Sequence, residues 1–253
     1  MLLSLVRGLY PDVPAVFVDT GVEFPEIRQF VRTVDNVVWV KPRYTFKQIC
    51  EKYGYPAISK ETSQKLHEVR YGKSEFMRQL RVDGVAGRDR QRIPAKWQFA
   101  INAPFPISHQ CCHWLKKEPL FRYEKETGSS PFVGTMAVES SARTQKAAQQ
   151  GCFVFGGHPS CRPIQFWTPE ETHQCLKSMP HCVLYDPPFN FARTGCMFCG
   201  YGVHLNTPNK FQMMEISHPR IHEKALPAFG IPEKMEFLGV PISSAKPDQG
   251  ELF

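Results

Sequence analysis

VPAVFVDTGVEFPEIRQFVRTVDNVVWV, residues Val13–Val40, is the stretch that decides the fold class. Its first part, Val13–Val18, is a near-continuous apolar run of the kind found in strands buried on both faces of a parallel sheet. The run stops at Asp19-Thr20-Gly21, a polar turn expected at the carboxyl edge of the strand. A helix is expected from about Pro25 to Thr33, and a second apolar run follows at Val37–Val40. Strand, helix and strand in that order predict an α/β fold with right-handed crossovers and helices on both faces of a parallel sheet.

Upstream, Leu2, Leu3, Leu5, Val6 and Leu9 share one helical face, so the chain opens inside a helix that Pro11 and Asp12 end. Downstream, Thr45 to Asn102 reads as mostly helical, with a basic loop at Arg88, Arg90 and Arg92 and with Trp97 and Phe99 in the core. A strand signal returns at Pro131–Ala137, ahead of a helix from Ser140 to Gln150. Thr168, Pro169 and Glu171 form a helix start with a capping box. Residues 180–210 are irregular and place Cys196 and Cys199 on a loop, where ligand sites are common.

At 253 residues the chain has room for one large domain or two small ones. No run approaches the roughly 20 apolar residues that span a membrane, and the opening MLLSLVRGLY is too short and is broken by Arg7. A cytoplasmic location is therefore expected, where nine cysteines read as ligands, catalysts or buried small hydrophobes rather than disulfides. The net charge of +7 suits an anionic partner, although solvated surface lysines explain it equally well.

Cys196-Met197-Phe198-Cys199 is a C-x-x-C flanked by Gly195 and Gly200, a spacing that turns two sulfurs to one side. Cys111-Cys112 supplies two more thiols that can approach one compact centre. Together they match the four thiolates of a [4Fe–4S] cluster or, less well because of the adjacent pair, a structural zinc ion. Cys50, Cys152, Cys161, Cys175 and Cys182 have no comparable pairing and read as structural. His109, His113 and His204 stand beside the candidate ligands and read as supporting or surface residues.

The segments VFVDTGVEFPEI (Val16–Ile27), ISHQCCHWLKKEPLFRYEKETG (Ile107–Gly128), GTMAVESSARTQ (Gly134–Gln145), PIQFWTPEE (Pro163–Glu171) and RTGCMFCGYG (Arg193–Gly202) occur in order. In that combination the chain resembles the phosphoadenosine-phosphosulfate (PAPS) reductase-like family of the PP-loop, adenine-nucleotide alpha-hydrolase superfamily. The resemblance runs from Met1 to about residue 225. It implies a five-stranded parallel sheet with an adenosine nucleotide (ATP, adenylylsulfate or PAPS-like) at its carboxyl edge. It also implies a nucleotide-binding domain over 1–178, a Cys-x-x-Cys metal region over 179–225 and a tail of unknown role over 226–253.

Carried over onto matching positions, Asp19 and Gly21 would lie near the adenosine. Gly134, Glu139, Ser140 and Arg143 would form the phosphate- or sulfate-facing loop, where helix N–H groups and a guanidinium suit an anion. Cys111, Cys112, Cys196 and Cys199 would hold a cluster beside the nucleotide, with Lys116 and Lys117 near its negative charge. Two departures limit the transfer. The family's opening strand and Ser-Gly-Gly-Lys-Asp-Ser loop have no counterpart here, so a truncated start is expected, leaving unpaired strand edges. No cysteine follows Cys199 to act as the reductase nucleophile. Sulfur or nucleotidyl transfer is the reading that survives. A metal-stabilised module associated with nucleic acid, as in DNA modification or defence, is the alternative, and it rests on the basic loop and the charge.

Overall fold

A computed structural model describes residues 1–244 except 86, 88, 192 and 193, so Arg88 and Arg193 lie outside the described residues. The opening segment folds as expected. Helix α1 (Leu2–Leu9) leads to strand β1 (Ala15–Val18), helix α2 (Pro25–Arg32) and strand β2 (Val37–Val40), and β1 and β2 pair in parallel. Arg7 ties this unit together by donating to the carbonyls of Val13, Asp35 and Asn36 at 2.9–3.0 Å.

Strand β1 departs from the expectation in one respect: all four of its residues are half-buried rather than buried on both faces. Ala15 and Asp19 donate to the Asn36 and Val40 carbonyls of β2, at 3.0 and 2.9 Å. Val16 and Val18 therefore direct their backbone groups to the opposite edge, which no strand pairs among the described residues. That edge opens on a cavity of about 990 Å³ lined by Leu2, Leu3, Val6, Val16, Phe121 and Met136, among others.

The middle of the chain is helical: α3 (Phe46–Tyr53), the two-residue strand β3 (Ala57–Ile58), α4 (Lys60–Tyr71) and α5 (Glu75–Val82). Trp97 is buried as expected, whereas Phe99 is 45% exposed and is not a core residue. A π-helical turn, His113–Lys117, runs into α6 (Glu118–Thr127). The expected strand at Pro131–Ala137 reduces to one bridge, Phe132 to Cys161, because prolines and glycines interrupt the ladder.

Ser140 caps α7 (Ser141–Gln150) by accepting from the Arg143 N–H. A short hairpin of β4 (Phe153–Val154) and β5 (Ser160–Cys161) precedes α8 (Pro169–Leu176). Thr168 and Glu171 exchange the two hydrogen bonds of the expected capping box at the start of α8. Strand β6 (Gly200–Tyr201) pairs in parallel with β3, and helices α9 (Lys210–Ser217), α10 (Pro219–Ala228) and α11 (Ile231–Phe237) close the described chain. The architecture is thus mixed α/β with short parallel pairings. The described strands form three two-stranded sheets rather than one of five strands.

One core unites most of these elements. Phe24, Phe46, Ile49, Tyr55, Leu66, Ile107, Leu115, Phe198, Phe211, Met214 and Leu226 are buried in it together. Among the described residues no helix is long and apolar enough to cross a membrane.

Candidate functional site

The two cysteine segments meet because the extended stretch Tyr55–Ile58 pairs with something on each side. On one side Tyr55 bonds to Pro106 and Ser108, its N–H to the Pro106 carbonyl at 2.8 Å and its carbonyl to the Ser108 N–H at 3.1 Å. That contact sets the start of the segment carrying Cys111 and Cys112. On the other side the Gly200 and Gly202 N–H groups donate to the Pro56 and Ile58 carbonyls, at 3.0 and 2.8 Å. That contact fixes the chain leaving Cys199. A methyl group on Gly200 would stand 2.7 Å from the Pro56 carbonyl oxygen, so only glycine allows this approach.

Burial pushes all four thiols above their ordinary range, and their neighbours push them further. Cys111 feels Cys199, Cys112, Cys50 and Cys196, while Cys112 feels Cys196. Cations oppose the trend, with Lys116, Lys60 and Lys117 acting on Cys112. Lys116 holds the Cys196 thiol down, and Lys210 and Lys116 act likewise on Cys199. The Tyr201 N–H also points at the Cys199 sulfur, 3.5 Å away. Four thiols from distant segments therefore share one region, although among the described residues no three His, Cys, Asp or Glu side chains converge at the spacing of a single metal ion.

This region adjoins the carboxyl end of β1. The Met197 N–H donates to the Val22 carbonyl at 2.8 Å, and Glu23 acts on both Cys196 and Lys116. In open α/β sheets the carboxyl ends of the strands are where ligands bind. Asp19 sits at that end in an ion pair with Arg28 at 2.9 Å, and Gly21 turns the chain at a φ of 76°.

The residues of the second expected loop separate. Gly134 and Arg143 line the 990 Å³ cavity beside β1. Glu139 and Ser140 do not line it. Glu139 accepts from the Met136 N–H and pairs with Arg143, and Ser140 is used as the cap of α7. The opposite face of α7, through Ser141, Ala142 and Gln145, lines a second cleft of about 570 Å³ with Lys65, Arg90 and Arg92. The three histidines pack against rings: His109 against His67, His113 against Trp114 and His204 against Trp97.

Among curated proteins, the chain is similar to a phosphoadenosine 5'-phosphosulfate reductase of Photorhabdus laumondii, 29% identical over 189 residues. Over that stretch the chain is similar to PAPS reductases. No family model matches it. The alignment takes in 73% of the chain, which spans 58% of the length of that relative.

Three features of the site carry no signal of their own in the sequence. Cys50, on α3, lies close enough to Cys199 and Cys111 to affect both their surroundings and that of Tyr55. Lys210 donates to the carbonyls of both Cys196 and Cys199. The π-helical turn that follows Cys112 carries Lys116. Cys50 and Lys210 reach the site through long-range packing and carry no spacing signal. A π turn has no hydrophobic period of its own, though such turns recur at functional sites.

Proposed function

We propose that the chain binds an adenosine nucleotide at the carboxyl end of β1 and holds a [4Fe–4S] cluster on Cys111, Cys112, Cys196 and Cys199. In this reading it serves sulfur or nucleotidyl transfer. The observation that carries the reading is the meeting of Cys111-Cys112 with Cys196-Cys199 in one buried region beside Val22 and Glu23.

The donor set fits the cluster better than zinc. A zinc ion needs every sulfur about 2.3 Å from one point, whereas a cluster fills the space between thiols that affect one another without converging. The Lys116 charge and the Tyr201 N–H both stabilise anionic sulfur. When bound, such a cluster supplies a polarisable charge next to the nucleotide's anionic group. Arg143 would bind and orient that anion once released from Glu139, and the α7 N-terminus favours negative charge nearby.

Anaerobic purification tests the cluster. A brown protein with about four iron and four sulfide per chain is expected, and a colourless protein with one zinc per chain overturns the assignment. Adenylylsulfate or PAPS should raise the melting temperature of the same preparation, as any ligand of the native state does. No shift with either overturns the nucleotide assignment. The cleft formed by Lys65, Arg90 and Arg92 favours a second reading, binding of nucleic acid. That reading requires retention on DNA or RNA that weakens steeply with salt.

A further inference from the structure

Lys210 is the first residue of α9, a position where the helix dipole disfavours a cation. The capping there is complete without it. Asn209 accepts from the Phe211 and Gln212 N–H groups, and the Gln212 side chain accepts from the Asn209 N–H. The lysine instead points away from its own helix. Its ammonium donates to the Cys196 carbonyl at 2.8 Å and to the Cys199 carbonyl at 2.6 Å.

Those two carbonyls bracket the Cys-x-x-Cys turn, which is closed by the Cys199 N–H donating to the Cys196 carbonyl at 3.3 Å. The other anchors are neutral: Met197 to Val22, the Tyr55 hydroxyl to Phe198, and Gly200 to Pro56. Among the described residues, Lys210 makes the two charge-assisted bonds to the backbone of this turn.

We infer that Lys210 is a positioning residue for the thiol centre: its ammonium bridges the carbonyls of Cys196 and Cys199 and holds the turn in its ligating shape before any metal arrives. The inference rests on the cluster reading for its purpose and on hydrogen bonds alone for its geometry. An ordered turn lowers the ordering cost of capturing a centre, and a cation behind it offsets the negative charge that four thiolates bring.

Hydrogen exchange and iron release test this separately. In metal-free protein, Lys210→Met should speed amide exchange across residues 196–202 about tenfold, the size of effect that losing a charge-assisted bond has on local opening. Exchange in α7 should not change. In reconstituted protein the same substitution should speed iron loss to a chelator about tenfold, and Lys210→Arg should restore most of both effects. Lys210→Gln, which keeps a neutral donor, replaces the methionine variant if that variant does not fold.

Unchanged exchange in the turn overturns the inference, as does unchanged iron release. A uniform rise in exchange that includes α7 also overturns it, because Lys210 would then serve general stability. If wild-type protein takes up no iron, the cluster reading fails while the exchange measurement still decides the role of Lys210.

Discussion

The hydroxyl of Tyr55 donates to the carbonyl of Phe198 at 2.9 Å, joining residues 143 positions apart in the chain. Tyr55 is 2% exposed, so this bond is shielded from water and pins the middle of the Cys-x-x-Cys turn to the start of β3. Tyr55→Phe removes the donor and leaves a buried carbonyl without it. We expect a loss of about 1–3 kcal/mol in stability, read from urea unfolding midpoints.

Gly200→Ala tests the close approach of β6 to β3. Its methyl group would meet the Pro56 carbonyl oxygen at 2.7 Å and the Tyr55 ring at 2.9 Å. Backbone on one side and a buried ring on the other leave little room to adjust. Destabilisation of about 1–3 kcal/mol is expected, and iron uptake should fall with it. A variant as stable as wild type would mean that the two strands are further apart than described.

Serine substitutions should sort the cysteines. Cys111→Ser and Cys199→Ser should each remove most of the bound iron, because a cubane needs four protein thiolates. Cys175→Ser, on α8, should keep the full wild-type content. Equal iron in all three variants would dismiss the assigned ligands.

The metal-free protein should lose stability in alkali. Burial pushes the Cys50 thiol up from 9.0 to about 12. Above pH 9 the unfolded chain releases a proton that the folded chain keeps, so this contribution is full below pH 9 and is lost as pH rises toward about 12. Cys50→Ala should therefore flatten the fall in urea midpoint between pH 8 and 10. A parallel fall in both proteins would show that Cys50 is not the group concerned.

Arg143→Ala should weaken binding of adenylylsulfate by about tenfold or more, the scale of one charge-assisted contact. Titration calorimetry reads it directly. Unchanged affinity would mean that Arg143 only pairs with Glu139.

The segments with strong local signals were legible. The apolar runs of β1 and β2, the helix between them and the Thr168 capping box all fold where the residues placed them, because each is specified by neighbours in sequence. Residue type and spacing single out Cys111-Cys112 and Cys196-Cys199 as candidate ligands, and the fold brings the two segments to one region. How the two segments come together was not legible, since nothing local in Tyr55–Ile58 announces that it will be flanked by Ile107 and Gly200. Cys50 read as merely structural for the same reason. Phe99 misled because an aromatic beside Trp97 looks like core, yet its ring is largely in solvent.

The open side of β1 has a consequence for how the chain behaves in bulk. Among the described residues no strand pairs with the outer peptide groups of Val16 and Val18, whose margin is apolar, and such a margin is a template for a strand from another molecule. Concentrated solutions of the chain should therefore turn cloudy and bind amyloid dyes sooner than a closed sheet would. Val16→Lys, which places a charge on that margin, should keep them clear.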